Sequence, residues 1–326
     1  MNIAILGAGA WGTALAVALS ASHRIALWTR DAAQAAKIGA ARTNDYLPGI
    51  AIPASVLVTG DAREALHDRS LVIAATPTAG LREALSKLPV APVDMGLLWA
   101  CKGFELHTAR LPHEIVAESL PRWRETGAFS GPSFALEVAR GLPAALTIAS
   151  ADAAFARRTA AALHRAPLRI YSSGDVVGVE LGGALKNIMA IAAGICDGLG
   201  LGANARAALV TRGLAEMARL GVRMGGEPDT FMGLTGLGDL VLTATGDLSR
   251  NRTVGLRVAS GMPVERVLAE LGHVAEGVSS ARAARALARR HGIDMPITDA
   301  VCAVLFEGRE PIAAVQELLA RDPRPE

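Results

Sequence analysis

Asn2-Ile-Ala-Ile-Leu-Gly-Ala-Gly-Ala-Trp-Gly12, continued by Thr13-Ala-Leu-Ala-Val-Ala-Leu-Ser20, is the stretch that decides the fold. The apolar run Ile3 to Leu6 predicts a buried strand, and the residues after Gly12 predict an apolar helix. Between them lies Gly7-x-Gly9-x-x-Gly12. A strand–turn–helix of this kind suits a bound pyrophosphate. The first glycine makes the tight turn, the second lets the backbone approach the phosphates, and the third lets helix and strand pack closely. The helix N-terminus adds N–H donors and a partial positive charge. Alone, the three glycines would also suit an ordinary structural turn. The strand before them and the helix after them make the stretch a dinucleotide signature.

Outward from that turn, short β-like runs alternate with helical patterns. Strands are predicted at Arg24–Thr29, Val56–Thr59, Leu71–Ala75, Leu97–Ala100, Ala128–Ser130, Ala145–Ala149 and Leu168–Tyr171. Helices are predicted between them at Asp31–Ala41, Ala62–Leu66, Ala79–Leu88, Pro112–Leu120, Phe134–Arg140 and Ala153–His164. This alternation predicts an α/β domain: a doubly wound, mostly parallel sheet covered on both faces. From Ser173 onward the pattern is helical only, beginning with the long apolar stretch Asp175–Gly194. Two domains are expected, residues 1–172 for the nucleotide and an all-α domain over 173–326 for substrate and catalysis.

Composition narrows the function. Thirty-three basic and 31 acidic residues leave a net charge of +2, with no long run of one sign. Neither a nucleic-acid face nor a polybasic membrane patch is expected. No apolar run reads as long enough to span a bilayer, and a strand starting at residue 2 leaves no room for a signal peptide. Cys101, Cys196 and Cys302 lie in apolar contexts and read as reduced residues of a cytoplasmic protein. The seven histidines are scattered, with no pairing that suggests a metal site. Only four of the basic residues are lysines: Lys37, Lys87, Lys102 and Lys186. A lysine kept in a chain that otherwise uses arginine suggests a place where a proton must be exchanged.

Lys186 and Asn187 stand inside the otherwise apolar helix Glu180-Leu-Gly-Gly-Ala-Leu-Lys-Asn-Ile-Met-Ala-Ile-Ala-Ala-Gly194. Desolvation there would lower the lysine pKa, which suits a general acid or base acting on a carbonyl or alcohol oxygen. The plain alternative is a lysine that reaches solvent or pairs with Glu180, although the six-residue spacing puts those two on different faces. Gly233-Leu-Thr-Gly-Leu-Gly-Asp239 places one acid in an apolar surround. A buried carboxylate needs a partner and an ammonium would serve. A helix N-cap is the other reading. Ser249-Arg250-Asn251-Arg252 opens a helix whose hydroxyl, guanidinium and amide would cradle a phosphate, or else supplies a serine cap with exposed arginines. Cys101-Lys102-Gly103 and Ser130-Gly131-Pro132-Ser133 follow predicted strands, where an open α/β sheet binds ligands; a simple turn is the alternative for Gly131-Pro132.

These segments together resemble the glycerol-3-phosphate dehydrogenase family of the bacterial, NAD(P)-dependent type. The likeness is carried by Gly7–Ala14, Asn44–Ile50, Cys101–Gly103, Gly131–Ala135, Val179–Asn187, Gly198–Asn204, Thr235–Leu240, Ser249–Asn251 and Ala275–Val278. It runs from residue 2 to about residue 310, and the one departure noticed is Cys101, where the family commonly has threonine. The resemblance implies reversible reduction of dihydroxyacetone phosphate to sn-glycerol 3-phosphate with NADPH/NADP or NADH/NAD, supplying glycerophospholipid synthesis. It implies a Rossmann domain, a helical domain like that of 6-phosphogluconate dehydrogenase, a site in the cleft between them, and a cytoplasmic homodimer. By motif position Lys186 would exchange the proton and Asp239 would hold it. Lys102, Gly131, Ser133, Asn187, Thr243, Ser249, Arg250 and Asn251 would contact substrate. Gly7, Gly9, Ala10, Trp11, Gly12, Arg30, Lys102, Ala135, Arg250, Val274 and Glu276 would hold the cofactor. Other lysine-dependent dehydrogenases of this architecture, acting on β-hydroxyacids or ketopantoate, and a non-catalytic dinucleotide sensor are the competing readings. The former would need a carboxylate site in place of Ser249–Asn251, and the latter would not need Lys186.

Overall fold

The structure is a computed structural model and describes residues 1–89, 95–271 and 275–321. The chain divides into two compact units, Met1–Glu105 with Arg110–Glu180, and Leu106–Ala109 with Leu181–Glu326. The β/α alternation ends near residue 173, but the division falls later, between Glu180 and Leu181, inside one long helix.

In the first unit, β1 (Asn2–Leu6), α1 (Ala10–Leu19), β2 (Arg24–Trp28), α2 (Ala32–Ala41), β3 (Leu57–Thr59), α3 (Ala62–Leu66), β4 (Leu71–Ala74), α4 (Leu81–Leu85) and β5 (Gly96–Trp99) come first. Then follow α5 (Pro112–Ser119), β6 (Thr126–Ser130), α6 (Ala135–Ala139), β7 (Ala144–Ala149), α7 (Ala153–Leu163) and β8 (Leu168–Ser173). The strands form one sheet in the order β3-β2-β1-β4-β5-β6-β7-β8. Every pairing is parallel except β6 with β7. Side chains of a strand point alternately to its two faces. Ile3 and Ile5 therefore join one core with Leu15 of α1 and Phe155 of α7. Ala4 and Leu6 join the other with Leu81 of α4 and Ile115 of α5. Because both faces are covered, the strands read as continuous apolar runs rather than as alternation. Asp31, Asp61 and Asp152 cap the helices that follow them, each accepting a backbone N–H with its side chain.

The second unit is helical. It is crossed by α8 (Val176–Gly198), which begins in the first unit, and continues with α9 (Gly202–Arg223), α10 (Pro228–Met232), α11 (Asp239–Thr245) and α12 (Arg250–Ala259). It ends with α13 (Val264–Leu271), α14 (Glu276–His291), α15 (Pro296–Phe306) and α16 (Pro311–Leu319). Helix α8 bears on the expectation that no apolar run spans a bilayer. It is 23 residues long and apolar enough to cross a membrane by length and composition. However, 89% of its most apolar window is buried within the protein. Glu180 and Lys186 interrupt its apolar run, and it is apolar on all sides because other helices surround it. Small residues let neighbours come close: a Cβ on Gly182 would lie 2.5 Å from the carbonyl oxygen of Thr235.

Residues 228–245 hold structure that periodicity did not predict. Between α10 and α11 the backbone makes a π turn over Leu234–Gly238, closed by Gly238 N–H donating to Gly233 O at 3.1 Å. The elements are only five to seven residues long, Gly233, Gly236 and Gly238 lie in and beside the π turn, and no side-chain cap marks the start of either helix.

Candidate active site

The turn after β1 has the geometry its glycines imply. Gly7 sits at φ +115°, where a Cβ would lie 2.9 Å from Ala75 O; on Gly12 a Cβ would lie 1.9 Å from Gly7 O. Gly9 differs, because a Cβ there meets nothing within 4 Å. It is the N-cap of α1, no side chain caps that helix, and no acid stands in its first turn. The first-turn N–H groups thus remain for an anion, with open space beside Gly9. Thr76 Oγ1, next to the turn, is buried and lacks a partner among the described residues. These features fit a dinucleotide pyrophosphate.

The turn is braced from behind by residues that the motif does not include. Asn44 Nδ2 donates to Ala8 O at 2.9 Å and to Thr13 Oγ1 at 2.8 Å. Gln34 Nε2 donates to Ala8 O at 3.3 Å, and Thr29 Oγ1 donates to Gln34 Oε1 at 2.6 Å. Asn44 belongs to the Asn44–Ile50 segment that carries the family likeness, which assigns it no bracing role; its buried amide is what marks it.

Other predicted nucleotide residues gather nearby within the first unit. Ala10, Trp11 and Ala135 pack on one small apolar cluster with Ala14, Leu47 and Ile50. Lys102 Nζ and Ser133 Oγ both donate to Gly131 O, at 3.2 and 3.1 Å. The loops after β5 and β6 are thereby brought together. Arg30, at the tip of β2, pairs with Glu83 at 2.6 Å while 72% exposed. Val274 lies outside the described residues. Glu276 is the first residue of α14 and is half-buried.

The second unit gathers the predicted substrate residues. Lys186 Nζ donates to Asp239 Oδ1 and, at 2.8 Å, to Thr243 Oγ1. Asp239 is the first residue of α11, whose N-cap is Gly238, so the cap reading does not hold. Thr243 Oγ1 donates its hydrogen bond to Asp239 O at 2.7 Å, which leaves a lone pair facing the ammonium. Asn251 Nδ2 donates to Asn187 Oδ1 at 2.9 Å. Ser249 caps α12 by accepting from Arg252 N, and Arg250 is exposed beside it.

Glu180 is not the lysine's partner. Its carboxylate accepts from Trp99 Nε1 at 2.7 Å and from His113 N at 2.8 Å, and it pairs with His113 Nδ1 at 2.5 Å. Burial pushes its carboxyl above the usual range, against the pull of the hydrogen bond and charge of His113. Arg252 is not the exposed arginine of the cap reading: it is held by Asp197 at 2.8 Å and by Asp247 at 3.1 Å.

A mostly parallel sheet whose first turn offers bare N–H groups suits a dinucleotide pyrophosphate. A proton-bearing ammonium held in an apolar helical unit can supply the proton that reduction of a carbonyl by hydride requires. Those two features define the class: nicotinamide-dependent dehydrogenases. Sequence profiles of the NAD-dependent glycerol-3-phosphate dehydrogenase N-terminus and C-terminus match residues 2–156 and 175–316. The chain belongs to this family. It is 58% identical, across the whole of both chains, to glycerol-3-phosphate dehydrogenase (NAD(P)+) of Thiobacillus denitrificans. It is 54% identical, again across both chains, to the protein of that name from Aromatoleum aromaticum. The crystal structure of glycerol-3-phosphate dehydrogenase from Coxiella burnetii superposes with a TM-score of 0.93 at 40% identity, covering 98% of this chain and 99% of that one.

Proposed function

We propose that this protein is an NAD(P)-dependent sn-glycerol-3-phosphate dehydrogenase that reversibly reduces dihydroxyacetone phosphate. The observation that carries the reading is the buried Lys186 ammonium fixed between Asp239 and Thr243. The reduced nicotinamide, when bound, supplies hydride to the carbonyl carbon. Lys186 holds a proton at the C2 oxygen and releases it as negative charge develops there; in the reverse direction it takes the hydroxyl proton. Asp239 keeps the lysine charged and aimed, and the low exposure of the pair strengthens that hold.

Ser249, Arg250 and Asn251 take the phosphate end of the substrate in this reading. Asn187, Thr243, Lys102, Gly131 and Ser133 complete the substrate contacts. Gly7, Gly9, Ala10, Trp11, Gly12, Arg30, Ala135, Val274 and Glu276 hold the nucleotide, with Lys102 and Arg250 close to it as well. Residues 1–172 would be the nucleotide domain and 173–326 the substrate domain. The product would feed glycerophospholipid synthesis in the cytoplasm, in keeping with three buried free cysteines. A homodimer follows from the family resemblance, and light scattering tests it.

The deciding experiment is NADPH oxidation, followed by absorbance, with dihydroxyacetone phosphate, ketopantoate and no substrate in parallel. Turnover confined to dihydroxyacetone phosphate is expected. Equal turnover on ketopantoate, or none on either, overturns the reading.

A further inference from the structure

Three hydrogen bonds in the helical unit form one directed chain. Gly277 N–H donates to Asn251 Oδ1 at 3.0 Å. Asn251 Nδ2 donates to Asn187 Oδ1 at 2.9 Å, and Asn187 Nδ2 donates to Gly183 O at 3.3 Å. Both ends of the chain are backbone groups. A backbone N–H can only donate and a carbonyl can only accept. The orientation of both amides is therefore dictated: flipping either one would set oxygen against oxygen or N–H against N–H.

This polarity has a chemical consequence. Each amide oxygen is committed to an internal donor. Each Nδ2 keeps one further hydrogen that finds no partner among the described residues, although Asn187 and Asn251 are only 4% and 9% exposed. A buried donor without an acceptor is costly. A pair of such donors suits a ligand that presents oxygen acceptors, such as phosphoryl, carbonyl or hydroxyl oxygens. Gly277 is closely packed against both asparagines: a Cβ there would lie 2.7 Å from Asn187 O and 2.8 Å from Asn251 Oδ1.

We infer that Gly277 is a positioning residue for the substrate, setting the direction of the Asn251–Asn187 amide pair so that both present N–H donors to substrate oxygens. This rests on the reading of those two asparagines as substrate contacts.

The test is steady-state kinetics on Gly277→Ala at saturating NADPH, with thermal melting and NADPH titration by protein fluorescence. The KM for dihydroxyacetone phosphate should rise at least tenfold while kcat changes less than threefold and NADPH affinity stays within twofold. An unchanged KM in a folded variant, or an NADPH loss that matches the KM change, overturns the inference. Asn251→Asp provides a second reading should the alanine variant unfold. Its second oxygen would face Asn187 Oδ1 and break the relay, so turnover of neutral dihydroxyacetone should fall alongside that of its phosphate. A loss confined to the phosphorylated substrate would mean simple charge repulsion and would also overturn the relay. A wild-type protein inactive with dihydroxyacetone phosphate would instead remove the functional reading underneath, and is recognised before any substitution is made.

Discussion

Lys186 and Asp239 form an ion pair inside the helical unit, with the lysine side chain 8% exposed and the carboxylate 1%. Two charges that deep are stable only together, and Thr243 supplies a further acceptor. The same pair must serve folding and chemistry, and the two roles can be separated experimentally.

Replacing Lys186 with alanine should lower kcat by roughly 10²–10⁴, the usual scale of general acid–base catalysis. Lys186→Arg should not restore it, since a guanidinium does not give up its proton near neutral pH. Near-wild-type turnover in either variant would remove Lys186 from the proton transfer.

Asp239→Ala leaves a buried ammonium without its countercharge and should destabilise the protein by about 3–5 kcal/mol in denaturant titrations. The double variant Lys186→Met with Asp239→Leu should regain most of that stability, because an apolar pair of similar volume carries no desolvation cost. It should remain inactive. A double variant as unstable as the single one would show that the site cannot accommodate an apolar pair.

Arg250→Ala should weaken dihydroxyacetone phosphate binding by about 1.5–3 kcal/mol, the range for a charged hydrogen bond. Unphosphorylated dihydroxyacetone should be spared. Equal KM increases for both would assign Arg250 to the cofactor or to structure.

The Arg30–Glu83 pair is exposed, at 72% and 46%, and such pairs contribute at most about 1 kcal/mol. A 2′-phosphate could therefore displace the carboxylate. Arg30→Ala should raise the KM for NADPH more than that for NADH, and Glu83→Gln should favour NADPH. Added salt should shrink both differences. Equal losses for the two cofactors in Arg30→Ala would show that Arg30 has no 2′-phosphate role.

Glu216 is buried on α9 and accepts from Ile297 N at 2.7 Å and Thr298 N at 3.3 Å, at the start of α15. Burial pushes its carboxyl up to about 7, against the pull of those N–H groups. A raised folded-state pKa means that its contribution to stability is complete below the ordinary carboxylate range and is lost as pH rises through about 7. Melting from pH 5 to 8 should show wild type losing stability on the order of 2–3 kcal/mol relative to Glu216→Gln. Parallel pH curves for the two would exclude this titration.

Much of the first unit was legible because its signals are local. Ile3–Leu6 reads as a strand from its own side chains, and Gly7 reads as a turn because a positive φ suits glycine. Asp31, Asp61 and Asp152 announce helix starts through bonds made within three residues. The helices α10 and α11 were illegible because each is five to seven residues long with no side-chain cap at its start, whereas Asp61 marks the start of the equally short α3.

The sequence by itself determined the sheet, the glycine turn, and a lysine set in an apolar helix. These follow from patterns within a few residues of one another. Only the tertiary structure decided which acid meets that lysine. Glu180, six residues away, lies on another face of α8 and is taken by Trp99 and His113, whereas Asp239 arrives from 53 residues further along the chain. It also decided how Asn187 and Asn251 are turned, through the backbone of Gly183 and Gly277. Burial makes such pairings obligatory, because a buried charge or amide must be matched. Which partner comes within 3 Å is settled by the packing of whole helices, which no short stretch of sequence encodes.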